Sequence, residues 1–117
     1  MSTMNLTLLT DLYELTMMQG YFKSQNRETV IFDAFYRKNP CGGGYAIAAG
    51  LQQVIDYIKN LRFSEEDIAY LQSLSMFDDD FLEYLRSFRF SGDSYAIPEG
   101  TVIFPKEPLV KVIAPIM

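Results

Sequence analysis

Apolar positions first follow a helical period over residues 8–22, LLTDLYELTMMQGYF. Leu12, Leu15, Met18 and Phe22 fall on one stripe, and Tyr13, Met17 and Tyr21 form a second line four residues apart. Asp11 stands where an N-cap is needed and Glu14 follows three residues later, so the spacing predicts a capping-box-like start. Residues 1–7 are polar and predicted to fray. Beyond a polar connection at 23–28, the run TVIFDAFYR at 29–37 reads as a strand. Its near-continuous apolar stretch predicts burial on both faces up to Tyr36. Asn39-Pro40-Cys41-Gly42-Gly43-Gly44 is the strongest turn signal, and YAIAA at 45–49 predicts a short buried strand closing at Gly50.

From Leu51 the period is helical again, with Leu51, Val54, Ile55, Ile58 and Leu61 on one face and polar residues opposite. Ser64 with Asp67 predicts a capping box opening a helix through Ile68, Leu71 and Leu74. Asp78-Asp79-Asp80 precedes a further amphipathic segment holding Phe81, Leu82, Leu85 and Phe88. Its acidic start and Arg86 and Arg89 at its end both suit the helix dipole. Ser91-Gly92-Asp93 stops it. Three short strands are then predicted at 94–97, 101–104 and 109–113, separated by Pro98-Glu99-Gly100 and Pro105-Lys106-Glu107-Pro108. The fold class expected is α+β: an N-terminal helix, a strand, three helices, then short, mostly antiparallel strands. Leu109–Met117 is mostly apolar and carries no polar tail, which leads us to expect one incomplete domain, 1–117, of a longer protein.

Composition narrows the chemistry. The chain has 117 residues, is 49% apolar and 21% charged, and so is long and apolar enough to build a core. Ten Lys and Arg face fifteen Asp and Glu, with no basic run, which argues against wholesale binding to nucleic acid or anionic lipid. A single cysteine, with no signal peptide or membrane-length apolar run, points to the cytoplasm. Histidine is absent, so neither a Ser-His nor a Cys-His pair can form within the chain. The acidic triplet lacks the spacing of a calcium loop and reads as dipole capping, and no metal site is expected. Gly42–Gly44 could let backbone amides approach a phosphate, but it lacks the Lys-Ser/Thr of a P-loop and reads first as a tight strand connection. Arg37, at the strand end, is placed either to grip a phosphate or to sit solvated at the surface. Tyr13 is either part of a docked helix or a ring offered to a flat ligand beside Asp11. Cys41 reads as inert.

Several segments taken in order resemble nicotinate phosphoribosyltransferases. They are Leu9-Thr10-Asp11-Leu12-Tyr13-Glu14-Leu15-Thr16-Met17, then Phe35-Tyr36-Arg37-Lys38-Asn39-Pro40, then Gly43 to Leu51. Leu61-Arg62-Phe63 and Phe81-Leu82-Glu83-Tyr84-Leu85 follow. Phe90 to Thr101, Phe104-Pro105 and Glu107-Pro108-Leu109 complete the set.

The resemblance implies the N-terminal domain of a type II phosphoribosyltransferase, without its barrel domain. It implies transfer of phosphoribose from phosphoribosyl pyrophosphate to nicotinate, coupled to ATP with Mg2+, at a site formed between the subunits of a homodimer. Tyr13 matches the tyrosine that stacks on the pyridine ring, with Asp11 beside it, and Arg37 matches a basic residue that reaches the phosphates from the partner subunit. The family's phosphorylated histidine, its arginine for the nicotinate carboxylate and its main phosphoribosyl site belong to the later barrel. No catalytic residue is therefore expected in this chain, and the chain alone is expected to be inactive. The rival expectation is a stand-alone interaction or regulatory module with no chemistry.

Overall fold

A computed structural model describes residues 4–117. In chain order these form α1 (Leu12–Lys23), β1 (Thr29–Ala34), a 3-10 turn (Pro40–Gly42), β2 (Ala46–Ile47), α2 (Leu51–Asn60), α3 (Glu65–Ser73), α4 (Asp79–Arg86), β3 (Asp93–Ala96), β4 (Val102–Ile103) and β5 (Val110–Pro115). The expected α+β class and element order hold. The described residues divide into two compact units, one drawn from residues up to 28, 57–90 and 116–117, the other from 29–56 and 91–115.

The helical unit holds the core. Ser64 Oγ accepts the Asp67 N–H at 3.1 Å, while Asp67 Oδ2 accepts the Ser64 N–H at 2.8 Å, so the predicted capping box opens α3. The helical period then carries Ile68 and Leu71 inward, and α4 adds Phe81, Leu82 and Leu85; Phe81 and Leu85 are sealed completely. Phe81 meets Phe22 at 5.7 Å and Phe77 at 5.8 Å between ring centres, which ties α1 to α4. Gln19 fixes the same junction, accepting the Asp78 N–H at 2.8 Å and donating to the Met76 carbonyl at 3.1 Å. Asp78 pairs with Lys23 rather than capping its own helix, and Asp80 Oδ1 accepts the Phe81 N–H at 2.9 Å.

Two expectations at the N-terminus need correction. Asp11 has the extended backbone of an N-cap, but its side chain makes no cap bond, and the Glu14 N–H donates to the Asp11 carbonyl at 3.1 Å instead. The first turn is exposed to solvent, which can satisfy its free amides without a side chain. The predicted fraying of 1–7 fails over its described part, residues 1–3 lying outside the described residues. Thr7 is only 5% exposed, its hydroxyl 2.7 Å from the Arg62 carbonyl and 2.6 Å from Asn5 Oδ1, and Asn5 Nδ2 reaches Asp67 Oδ2 at 2.8 Å.

The second unit consists mainly of two thin antiparallel sheets, β1-β5-β3 and β2-β4, together with the first turns of α2. Register places Phe32 opposite Val112 and Val112 opposite Ser94, and Asp33 opposite Lys111 and Lys111 opposite Tyr95. Strand alternation therefore gathers Val30, Phe32, Ala34, Val110, Val112, Ala114 and Ala96, with Ser94 among them, on one face and leaves a mixed face with a cross-strand Asp33–Lys111 pair. Here the expected burial of 29–36 on both faces is wrong: β1 is an edge strand, with Ile31 and Phe32 largely exposed. The expected buried strand at 45–49 shortens to two residues, with Tyr45 and Ile47 exposed. β4 pairs with β2, so the three last strands do not form one meander. β5 is the central strand, bonded on both edges and half-buried, so the apolar stretch at its end is largely covered, while large apolar side chains stay exposed on β1, β2, β3 and β4.

Candidate functional site

Tyr13 lies one residue into α1. The helix turns Leu15 into the core and sets Met18 and Phe22 against it, and that rotation carries Tyr13 and Met17 out to solvent. Tyr13 is 58% exposed, with Leu12 beside it at the surface. Its carbonyl accepts the Thr16 hydroxyl at 2.8 Å, and the ring is left open to stacking. Asp11 is exposed in the turn just before it, with a carboxylate free of any cap duty. Tyr57, in the same helical unit, is half-exposed, and its phenol is held above the ordinary value near 10 by burial and by the Glu14 carboxylate. It stays protonated at neutral pH.

Arg37 belongs to the sheet unit, so the structure places Asp11 and Tyr13 together and Arg37 in a different body. It is exposed and makes no hydrogen bond or ion pair among the described residues, while the backbone around it is fixed. The Ala34 carbonyl accepts the Leu109 N–H at 2.8 Å and the Tyr36 carbonyl accepts the Lys106 N–H at 2.8 Å. On the other side the glycine-rich segment folds as a 3-10 turn in which Cys41 and Gly42 take φ of 55° and 68°, closed by Gly43 N–H to the Pro40 carbonyl at 3.1 Å. The Gly43 amide is thus occupied by the turn, which supports the tight-connection reading of Gly42–Gly44. Cys41 is a free, exposed thiol.

Two residues that sequence reasoning passed over shape these surroundings. Glu99 Oε1 accepts the N–H groups of Gly50 at 3.0 Å and Gln52 at 3.2 Å, capping α2 from a distant turn. No local spacing rule signals a cap supplied from so far along the chain. Tyr36 lies with its phenol oxygen 2.9 Å from the Ile103 carbonyl and 2.9 Å from Asn39 Oδ1. Its place in an apolar run masked it as one more strand residue. Among the described residues no three Cys, Asp or Glu side chains converge as a cation-binding group, and no helix is long and apolar enough to cross a membrane.

Comparison with known proteins gives these positions a context. Residues 8–117 match the model of the nicotinate phosphoribosyltransferase (NAPRTase) N-terminal domain. Nicotinate phosphoribosyltransferase pncB2 of Mycobacterium tuberculosis is 50% identical over 110 residues, covering 94% of this chain and 24% of the relative. The Bacillus subtilis nicotinate phosphoribosyltransferase is 40% identical over 114 residues, covering 97% of this chain and 23% of its own length. The crystal structure of human nicotinic acid phosphoribosyltransferase superposes with a TM-score of 0.79 at 35% identity, over 91% of this chain and 22% of that one. Nicotinate-nucleotide pyrophosphorylase from Pyrococcus furiosus shares the fold at 16% identity, with a TM-score of 0.66. The chain spans about a quarter of the length of these relatives. Agreement of sequence over nearly the whole chain with agreement of fold makes the chain a member of the nicotinate phosphoribosyltransferase family, matching its N-terminal domain.

Proposed function

We propose that these residues form the N-terminal portion of a cytoplasmic nicotinate phosphoribosyltransferase, working as a homodimer in which Tyr13 stacks on the nicotinate ring in a pocket completed by the neighbouring subunit. In the reaction the pyridine nitrogen forms a bond to the anomeric carbon of phosphoribosyl pyrophosphate. The carbon–oxygen bond breaks, its electron pair leaving with pyrophosphate, and ATP hydrolysis drives the cycle. The support is the family match over residues 8–117 together with the exposure of Tyr13, whose ring stands open to solvent while Leu15 takes the core position. A flat phenol fixes the plane of nicotinate without competing for its nitrogen lone pair, and such stacking is worth about 1–3 kcal/mol per ring. Arg37 supplies positive charge for the phosphates, as a guanidinium without a partner of its own among the described residues. The sequence has no histidine to phosphorylate, and on this reading phosphorylation and Mg2+ binding fall to the rest of the enzyme. The large apolar side chains exposed on β1–β4 then pack against later parts of the same polypeptide.

The test is Tyr13→Ala in the full-length enzyme. We expect KM for nicotinate to rise about tenfold, inside the range set by stacking energies, with Tm unchanged within about 1 °C because the side chain is outside the core. A loss of folding with no selective effect on nicotinate would overturn the stacking role. A purified 117-residue chain that turned over nicotinate would overturn the proposal that catalysis needs residues beyond these.

A further inference from the structure

Tyr36, the residue before Arg37, is held through both its backbone and its side chain. Its carbonyl takes the Lys106 N–H at 2.8 Å, and its phenol oxygen lies 2.9 Å from the Ile103 carbonyl, so backbone and side chain of one residue grip the segment 103–106. That segment is itself stiff. Ile103 is the buried residue of β4, Phe104 N–H donates to Glu107 Oε2 at 3.1 Å, and Lys106 sits at φ 67°.

A phenol has a single proton, and the Ile103 carbonyl can only accept. The structure sets the Ile103 carbonyl and Asn39 Oδ1 each 2.9 Å from the phenol oxygen, so the single proton serves one of them, and a flip of the Asn39 carboxamide that turns its NH2 to the phenol satisfies both contacts at once. In that arrangement Tyr36 bonds across Arg37 and Lys38 to Asn39, closing a short bridge over the residues between. The Asn39 backbone leads directly into the Pro40–Gly42 turn. Arg37 is thus held between two anchored neighbours while its own guanidinium stays unpartnered among the described residues. Burial and the nearby Glu107 carboxylate both raise the phenol's pKa above its ordinary value, which keeps the donor proton in place at neutral pH.

We propose that Tyr36 is a positioning residue for Arg37: its hydroxyl, bridging Ile103 and Asn39, fixes the loop that presents the guanidinium to the phosphates of phosphoribosyl pyrophosphate. This rests on the phosphate-binding role given to Arg37 above. A free arginine side chain has many rotamers, and anchoring its backbone lowers the entropy lost when it closes on an anion. The hydroxyl acts through Arg37 and touches no reacting atom.

The experiment compares Tyr36→Phe, Asn39→Ala, Arg37→Ala and the Tyr36→Phe/Arg37→Ala double variant in the full-length enzyme. It reads kcat, KM for each substrate and Tm. Tyr36→Phe should raise KM for phosphoribosyl pyrophosphate about tenfold, the factor expected of one lost hydrogen bond, with KM for nicotinate within twofold. Asn39→Ala should act in the same direction, and it carries the test if Tyr36→Phe does not fold. The double variant should be no worse than Arg37→Ala alone, because the hydroxyl has nothing left to position. If Tyr36→Phe and Asn39→Ala lower Tm but leave that KM unchanged while Arg37→Ala raises it, the positioning role fails and the Arg37 role stands. Independent, additive effects in the double variant would also overturn it. If Arg37→Ala itself leaves KM for phosphoribosyl pyrophosphate unchanged, the phosphate reading falls and this inference with it.

Discussion

A methyl group at position 92 would sit 2.5 Å from the Ala114 Cβ and 2.6 Å from the Ile113 carbonyl oxygen, where backbone and not a flexible side-chain tip must yield. Gly92→Ala should therefore destabilise the sheet unit by about 1–3 kcal/mol. Urea unfolding and faster hydrogen exchange at the β3–β5 amides would show it; an unchanged midpoint would mean the strands can part at no cost. In the sequence Gly92 reads as a helix stop between Ser91 and Asp93, a local role, whereas the constraint comes from a strand far along the chain. The candidate site divides in the same way. For Asp11 and Tyr13 the helical period gives only their shared place at the start of α1; that Tyr13 faces solvent follows from Leu15 taking the core position. The grip of Tyr36 on Ile103 and of Glu99 on Gly50 and Gln52 was not legible, because each joins segments with no spacing rule between them.

Elements fared according to how local their support is. α3 carries its own capping box, both α3 and α4 carry acidic first turns and an apolar stripe, and both form close to where the pattern puts them. Phe81, sealed between Phe22, Phe77 and Tyr84, is the centre of that packing. Phe81→Ala should cost about 3–5 kcal/mol, since the cavity is lined by aromatic rings that collapse poorly. Phe32→Ala on the exposed strand β1 should cost the chain far less, and thermal melts of the two variants give the contrast directly. β1 shows why strands were harder to read. Val30, Phe32 and Ala34 alternate with Thr29, Ile31 and Asp33, yet the run of apolar letters hides the alternation. Only the pairing with Val110–Pro115 reveals which face is which.

Across the whole molecule, fifteen acidic and ten basic side chains with no histidine leave no side chain with an ordinary pKa between about pH 5 and 8. Stability should be flat across that window. Tyr36, Tyr57 and Tyr84 behave differently at high pH, their phenols raised chiefly by burial, with Arg27 partly opposing the shift at Tyr84. Because the folded values lie above the unfolded value near 10, their stabilisation is complete below about pH 10 and is lost as pH climbs through the folded values. Melting temperatures taken from pH 6 to 11 should hold level and then fall, and Tyr84→Phe should soften that alkaline fall. A fall beginning below pH 9 would contradict it. What the residue order determined by itself was the element order, the α3 capping box, the core of α3 and α4 and the family resemblance, since each depends on neighbours within a few residues or on ordered motifs. Tertiary structure alone decided that β5 runs between β1 and β3, that β4 joins β2, and which side chains grip the Arg37 loop. Those outcomes depend on pairings between distant segments, whose register is settled only when the backbones meet and share their hydrogen bonds.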